Sequence, residues 1–256
     1  MKRIFLAYLI GVTFLISGCA GKTADLDGEK NLEVIAADAE TVKTAESVFD
    51  LSASFQDDNI VITESGGGTA LCEIPIPFDK NTLVISMTDE NNGYLLYCST
   101  GAMGLMNKYL YVTKDRWATY DVKDISSLID GYPTSLSALS PEHIYIGTQM
   151  RSNGYLFETT DGGEHWNPIS VDEGYYRYGY VPLLDENNGV MYVFLEYEAD
   201  GRSHYNLYQS DINATTWEKI GGYSLDAGET SIYRFFMSDG TLYFYDSHGN
   251  QYQIKL

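Results

Sequence analysis

The sequence predicts an all-β fold, a small β-propeller of four or five blades, and three observations lead there. From Leu51 onward, short alternating strands are separated by turns rich in Gly, Asn and Asp. Tyrosine is dense, with 22 copies in 256 residues, and aromatics of this kind favour half-buried strands. Two turn motifs recur at intervals close to the length of a four-stranded blade.

The N-terminus reads differently. Lys2 and Arg3 precede an almost wholly apolar run, Ile4 to Ile16, and Ser17-Gly18-Cys19 follows. A basic start, a short apolar stretch and small residues at the cut describe a signal peptide over residues 1–18. The run is shorter than the roughly 20 residues a spanning helix needs. Cys19 directly after Ile16-Ser17-Gly18 resembles the bacterial lipobox. That resemblance implies cleavage before Cys19, diacylation of its thiol, and display on the extracytoplasmic face of the cell membrane. Two acyl chains hold a protein stably where one binds marginally. An ordinary signal peptide carrying a chance cysteine is the alternative.

Residues 19–50 are acidic and polar, with few aromatics. Such a composition buries too little apolar area to offset ordering entropy, so this stretch is expected to be a flexible tether. Within it, Asn31 to Val48 has some helical character. The domain proper is expected over residues 51–256.

Net charge is −20, and removal of Lys2 and Arg3 takes it to −22. This excludes nucleic acid as a charge-driven partner, because binding phosphate backbones needs a basic face. Cys72 and Cys98 either pair outside the cytoplasm or stay free and buried. Their spacing resembles no zinc site. His143, His165, His204 and His248 are scattered singly, which suits surface or loop positions. No metal and no cofactor is expected.

The clearest repeat is Thr159-Thr160-Asp161-Gly162-Gly163-Glu164-His165-Trp166. A weaker copy begins at Thr113, keeps Asp115, has Trp117 in place of Gly163 and ends on Tyr120 in place of Trp166. A third begins at Ser210, has Ile212 at the aspartate position and ends on Trp217. The starts lie 46 and 51 residues apart. A second element, Asp89-Glu90-Asn91-Asn92-Gly93, recurs as Asp185-Glu186-Asn187-Asn188-Gly189, 96 residues later. Weaker forms stand at Ser140–Tyr145 and Met237–Leu242, each followed by an apolar strand.

The first element resembles the Asp-box of sialidases and other BNR-repeat propellers, Ser/Thr-x-Asp-x-Gly-x-x-Trp. The resemblance implies that each box is the turn between the third and fourth strands of a blade. There Asp and Thr cap backbone N–H groups and Gly supplies positive φ. The boxes are then folding devices, and their aspartates are not catalytic candidates. The last repeat supplies three strands, near Ile232–Met237, Leu242–Tyr245 and Tyr252–Leu256. A fourth is expected from the N-terminal side at Asn59–Thr63, which would remove the exposed ring edges. Phe55–Phe78, with a turn at Ser65–Gly68, is a candidate fifth blade.

Sialidase catalysis uses an arginine triad, a Tyr–Glu nucleophile pair and an acid Asp. No Arg-Ile-Pro-like motif exists here, and no catalytic residue carries over. The repeat class is also similar to the photosystem assembly-factor family, on units such as Asp89–Gly93, but nothing points to photosynthesis. The remaining lead is Tyr175, Tyr176, Arg177 and Tyr178, since Tyr and Arg are favoured on recognition surfaces. Packing between blades would explain the same tyrosines. The expected function is a membrane-anchored, extracytoplasmic binding or scaffold module, non-enzymatic, for a protein or glycan. The alternative is a divergent glycosidase-like propeller enzyme.

Overall fold

A computed structural model describes residues 31–36, 51–64, 70–76, 80–100, 106–149, 155–174, 176–185, 187–213, 216–225, 232–238, 240–246, 248 and 250–256. Cys19, the expected signal peptide and Tyr175 lie outside these residues, as does the expected Ser65–Gly68 turn. The described structure is all β, with no helix, and forms a β-propeller of successive antiparallel units.

The first unit is β2 (Leu51–Gln56), β3 (Asn59–Glu64) and β4 (Ala70–Pro75). The second is β5 (Thr82–Met87), β6 (Gly93–Thr100), β7 (Met106–Thr113) and β8 (Asp121–Asp124). The third is β9 (Tyr132–Ala138), β10 (Ile144–Gln149), β11 (Leu156–Thr159) and β12 (Asn167–Pro168). The fourth holds β13 (Tyr178–Gly179), β14 (Leu183–Asp185), β15 (Val190–Ala199), β16 (Arg202–Asp211) and β17 (Glu218–Leu225). The fifth is β18 (Ile232–Ser238), β19 (Thr241–Asp246), β20 (Gln251–Lys255) and, on its outer edge, β1 (Glu33–Ala36).

That last pairing corrects two expectations. The closing strand is Glu33–Ala36, in register Glu33↔Lys255 to Ala36↔Tyr252, and Asn59–Thr63 instead pairs within the first unit. The tether expected over 19–50 is therefore interrupted. Leu32 is buried at 6% exposure and Val34 packs in the core between the last two units. Apolar alternation at Leu32 and Val34 inside an acidic stretch is enough to seat one edge strand. The helical character read over Asn31–Val48 fails for the same residues. The backbone also bonds across to the fourth unit, Leu32 N donating to Gly222 O at 3.0 Å.

Alternation along each strand builds one core between each pair of successive units. In the second unit, Leu95, Tyr97 and Tyr111 meet Ile60, Ile62 and Ile74 of the first. Leu96, Cys98 and Leu110 point the other way, to Ile144, Ile146 and Phe157 of the third. Cys72 packs on the first of these cores and Cys98 in the second, on opposite faces of one sheet, and both are free thiols. The expectation that they could pair is thus corrected. The third and fourth units approach closely because β13 bridges β10 and β15. Glycine permits this: a Cβ on Gly147 would stand 2.2 Å from Gly179 O. Asp200-Gly201, both with positive φ, closes the long β15–β16 hairpin as a two-residue turn.

Candidate functional site

The first two Asp-rich turns, from Thr113 and from Thr159, share one hydrogen-bond pattern. Thr159 Oγ1 donates to Asp161 Oδ1 at 2.7 Å and accepts from Gly163 N at 2.9 Å. Thr113 Oγ1 donates to Asp115 Oδ1 at 3.0 Å and accepts from Trp117 N at 2.8 Å. Asp161 Oδ1 then accepts from Glu164 N and His165 N at 3.0 Å each, and Asp115 Oδ1 from Thr119 N at 2.8 Å. Those bonds hold both carboxyls below the usual range, for Asp161 chiefly through His165 and for Asp115 through Thr119. Gly162 and Gly163 have φ of 71° and 93°, and Arg116 and Trp117 adopt the same left-handed region at 55° and 69°. Side chains rarely sit there. Trp117 is held because its indole is fully buried against Tyr111 and Tyr97.

Trp166 closes its turn with Nε1 donating to Gly163 O at 3.2 Å, whereas Tyr120 packs edge-on to Tyr111 at 5.6 Å. In the third copy the pattern is lost. Ser210 Oγ and Trp217 Nε1 are buried without a partner among the described residues. Ile212, standing where aspartate would be, is 49% exposed. All these aspartates serve their own turns.

Within the tyrosine-rich segment, Tyr176 is turned inward and Tyr178 is half-buried. Tyr176 is 4% exposed and its hydroxyl donates to Asp172 Oδ2 at 2.7 Å. Tyr208 also donates to that carboxylate, and the two phenol oxygens lie 2.7 Å apart. Burial opposes ionisation of Asp172, but the Tyr208 and Tyr176 bonds win and hold its carboxyl below the usual range. Burial pushes the Tyr176 phenol up to about 12. Tyr176 is thus a packing residue, because the connection folds back over the third and fourth units. Arg177 remains exposed, paired with Glu198 at 3.2 Å and lying over the Tyr178 ring at 5.3 Å.

Two further carboxylates are engaged by hydrogen bonds. Glu158 meets His143 Nε2 at 2.6 Å and Tyr145 OH at 2.8 Å, and the His143 bond chiefly holds it below the usual range. Glu196, 5% exposed, accepts from Tyr180 at 3.0 Å and Ser203 at 3.2 Å. Burial nevertheless raises its pKa. His204 also departs from the surface position expected for it. It is 4% exposed on β16, 2.7 Å from Ser224 Oγ and stacked on Tyr197. Among the described residues no group of three His, Cys, Asp or Glu side chains could hold a metal ion.

A groove of about 480 Å³ lies between the first and second units. Ile74, Pro75 and Ile76 form one wall. Tyr109, Tyr111, Tyr120 and Val122 form the other. Tyr109 and Tyr111 are two apart on β7, so they share a face, and their register partners on β8 are Asp124 and Val122. The Tyr109-x-Tyr111 alternation was readable in sequence. The approach of Ile74–Ile76 was not, since it joins strands of different units.

No family model matches the chain, and no curated protein matches it. Solved structures do, at low identity. "YCF48 bound to D1 peptide" aligns at 14% identity and a TM-score of 0.45, over 88% of this chain and 66% of that one. "Phage phi92 endosialidase" aligns at 12% and 0.48, over 77% and 38%. The GH43_1 enzyme from Xanthomonas citri aligns at 14% and 0.40, over 81% and 86%. The chain therefore spans just under two thirds of the first of these chains and well under half of the second.

Proposed function

We propose that this chain is a non-enzymatic binding module, held by lipid on Cys19 at the extracytoplasmic face of the cell membrane, that takes a protein or glycan ligand. The observation that carries the binding part is the open tyrosine groove between the first two units, set against carboxylates that are already engaged. Aromatic side chains with polar tips suit recognition without chemistry.

Seating of Leu32–Ala36 in the sheet shortens the leash in this reading. Eleven residues, 20–30, separate Cys19 from Asn31. Fully extended, such a stretch spans at most roughly 40 Å. The domain is then held close to the membrane by the outer rim of its last two units.

The glycosidase-like alternative has one observation in its favour, a buried glutamate with a raised pKa, as a general acid requires. Against it, Tyr180 and Ser203 already occupy both Glu196 oxygens. A screen of the full chain against fluorogenic glycosides and a glycan and peptide array tests the pair. Retention of a ligand, reduced by Tyr120→Ala and without turnover, is expected. Turnover abolished by Glu196→Gln would overturn the binding reading. Cys19→Ser is expected to abolish acyl labelling and release the protein from membranes; unchanged labelling would refute the anchor.

A further inference from the structure

The groove between the first two units has a chemistry more specific than apolar. Tyr111 and Tyr120 stand at 64° to one another with centroids 5.6 Å apart, forming a corner, and Tyr109 adds a third ring along the same strand face. Among the described residues, none of those lining the groove is basic. Lys108 and Lys123, each next to a lining residue, alternate to the opposite face, where Lys108 donates to Ile129 O at 2.6 Å and Lys123 to Gly162 O and Glu164 of the third unit at 2.8 and 2.6 Å. Asp124 stands opposite Tyr109 in register, on the groove's own face, and is exposed. Its charge adds to burial in raising the Tyr109 phenol. Burial and the neighbouring tyrosines push the Tyr111 phenol up to about 12, so Tyr109 and Tyr111 are neutral at physiological pH.

Aromatic faces carry negative electrostatic potential and attract cations placed over them, most strongly when the cation is weakly hydrated. An acid at the rim and a chain charge of −20 add to that attraction and disfavour anionic ligands. We propose that the Tyr109–Tyr111–Tyr120 groove binds an organic cation of the quaternary ammonium class. The inference rests on the binding reading above and narrows it. Its methyl groups would rest on the half-buried Tyr109 and Tyr120 rings and on Ile76, with buried Tyr111 and Ile74 as the floor and the charge facing Asp124.

The test uses the full chain in maltoside detergent, titrated with choline chloride at constant ionic strength and followed by tyrosine fluorescence. The neutral isostere 3,3-dimethyl-1-butanol is the comparison. Choline is expected to bind at least about fivefold more tightly than the isostere. Asp124→Asn is expected to weaken choline about two- to threefold, with less effect at high salt. Val122→Lys places an ammonium at the rim, at a side chain 50% exposed and so tolerant of change, and is expected to abolish choline binding with Tm unchanged. Equal affinity for the isostere, no saturable response to choline, or choline binding unaffected by Val122→Lys would each overturn the proposal. If a neutral glycan or peptide binds and Val122→Lys removes it while choline fails, the groove remains a binding site and only the cation is wrong. If Val122→Lys and Tyr120→Ala leave retention of every ligand unchanged, the binding reading itself falls.

Discussion

Replacement of the first hydroxyl in each of the three turn repeats should have opposite consequences at sites that look equivalent in sequence. Thr159→Val keeps the shape and removes the oxygen that Gly163 N bonds at 2.9 Å in a buried position. A buried N–H left unpaired costs about 1–3 kcal/mol, and loss of the 2.7 Å bond to Asp161 adds to it, so about 2 kcal/mol is expected. Thr113→Val should match it, because Trp117 N depends on Thr113 Oγ1 at 2.8 Å. Ser210→Ala should cost nothing, or stabilise by up to about 1 kcal/mol, since its buried hydroxyl has no partner among the described residues. For a domain of this size, about 2 kcal/mol lowers Tm by about 4–8 °C. The chain has three tryptophans, Trp117, Trp166 and Trp217, one in each repeat, so intrinsic fluorescence during urea and thermal unfolding reports on all three. A Ser210→Ala loss as large as that of Thr159→Val, or a neutral Thr159→Val, would refute the reasoning.

Other expectations follow from the same geometry. Gly163→Ala should destabilise by about 1–3 kcal/mol, because φ is 93° and a Cβ would stand 2.9 Å from Leu110 Cδ2. Trp117→Gly relieves a left-handed side chain worth about 1–2 kcal/mol but loses a fully buried indole worth about 3–5, so net destabilisation is expected in chemical denaturation. Glu196 has a folded pKa raised by burial, so its contribution to stability is fully present below the unfolded value near 4.3 and is lost as pH rises through the folded value. The gap in stability between wild type and Glu196→Gln should therefore shift against wild type across that window; a pH-independent gap would count against the raised pKa. Cys72 and Cys98 should both alkylate in denaturant without prior reduction, whereas resistance to alkylation would show a disulfide.

Local chemistry was legible in the sequence. The alternating runs became β6, β10, β15 and β19, and the three C-terminal strands lie where they were read, because a strand's periodicity and its flanking turn residues sit within about ten residues of chain. The segment joining the last unit was not legible. Glu33–Ala36 is short and acidic composition masks its alternation, while Asn59–Thr63 has the stronger pattern and found a partner next to it, in β2 and β4. Strand pairing is a competition between distant segments, and propensity does not decide it.

The sequence by itself determined the all-β class, the repeat spacing, the hydrogen bonds of the first two turn repeats and the acidic charge, all of which depend on composition or on neighbours along the chain. Only the tertiary structure decided that Tyr176 is a packing residue, that Cys72 and Cys98 face different cores, and that Ile74–Ile76 meets Tyr109, Tyr111 and Tyr120 in an open groove. The physical reason is common to all three. A side chain's exposure is set by which sheet packs on its face, and the alternation that fixes the face does not name the sheet that covers it.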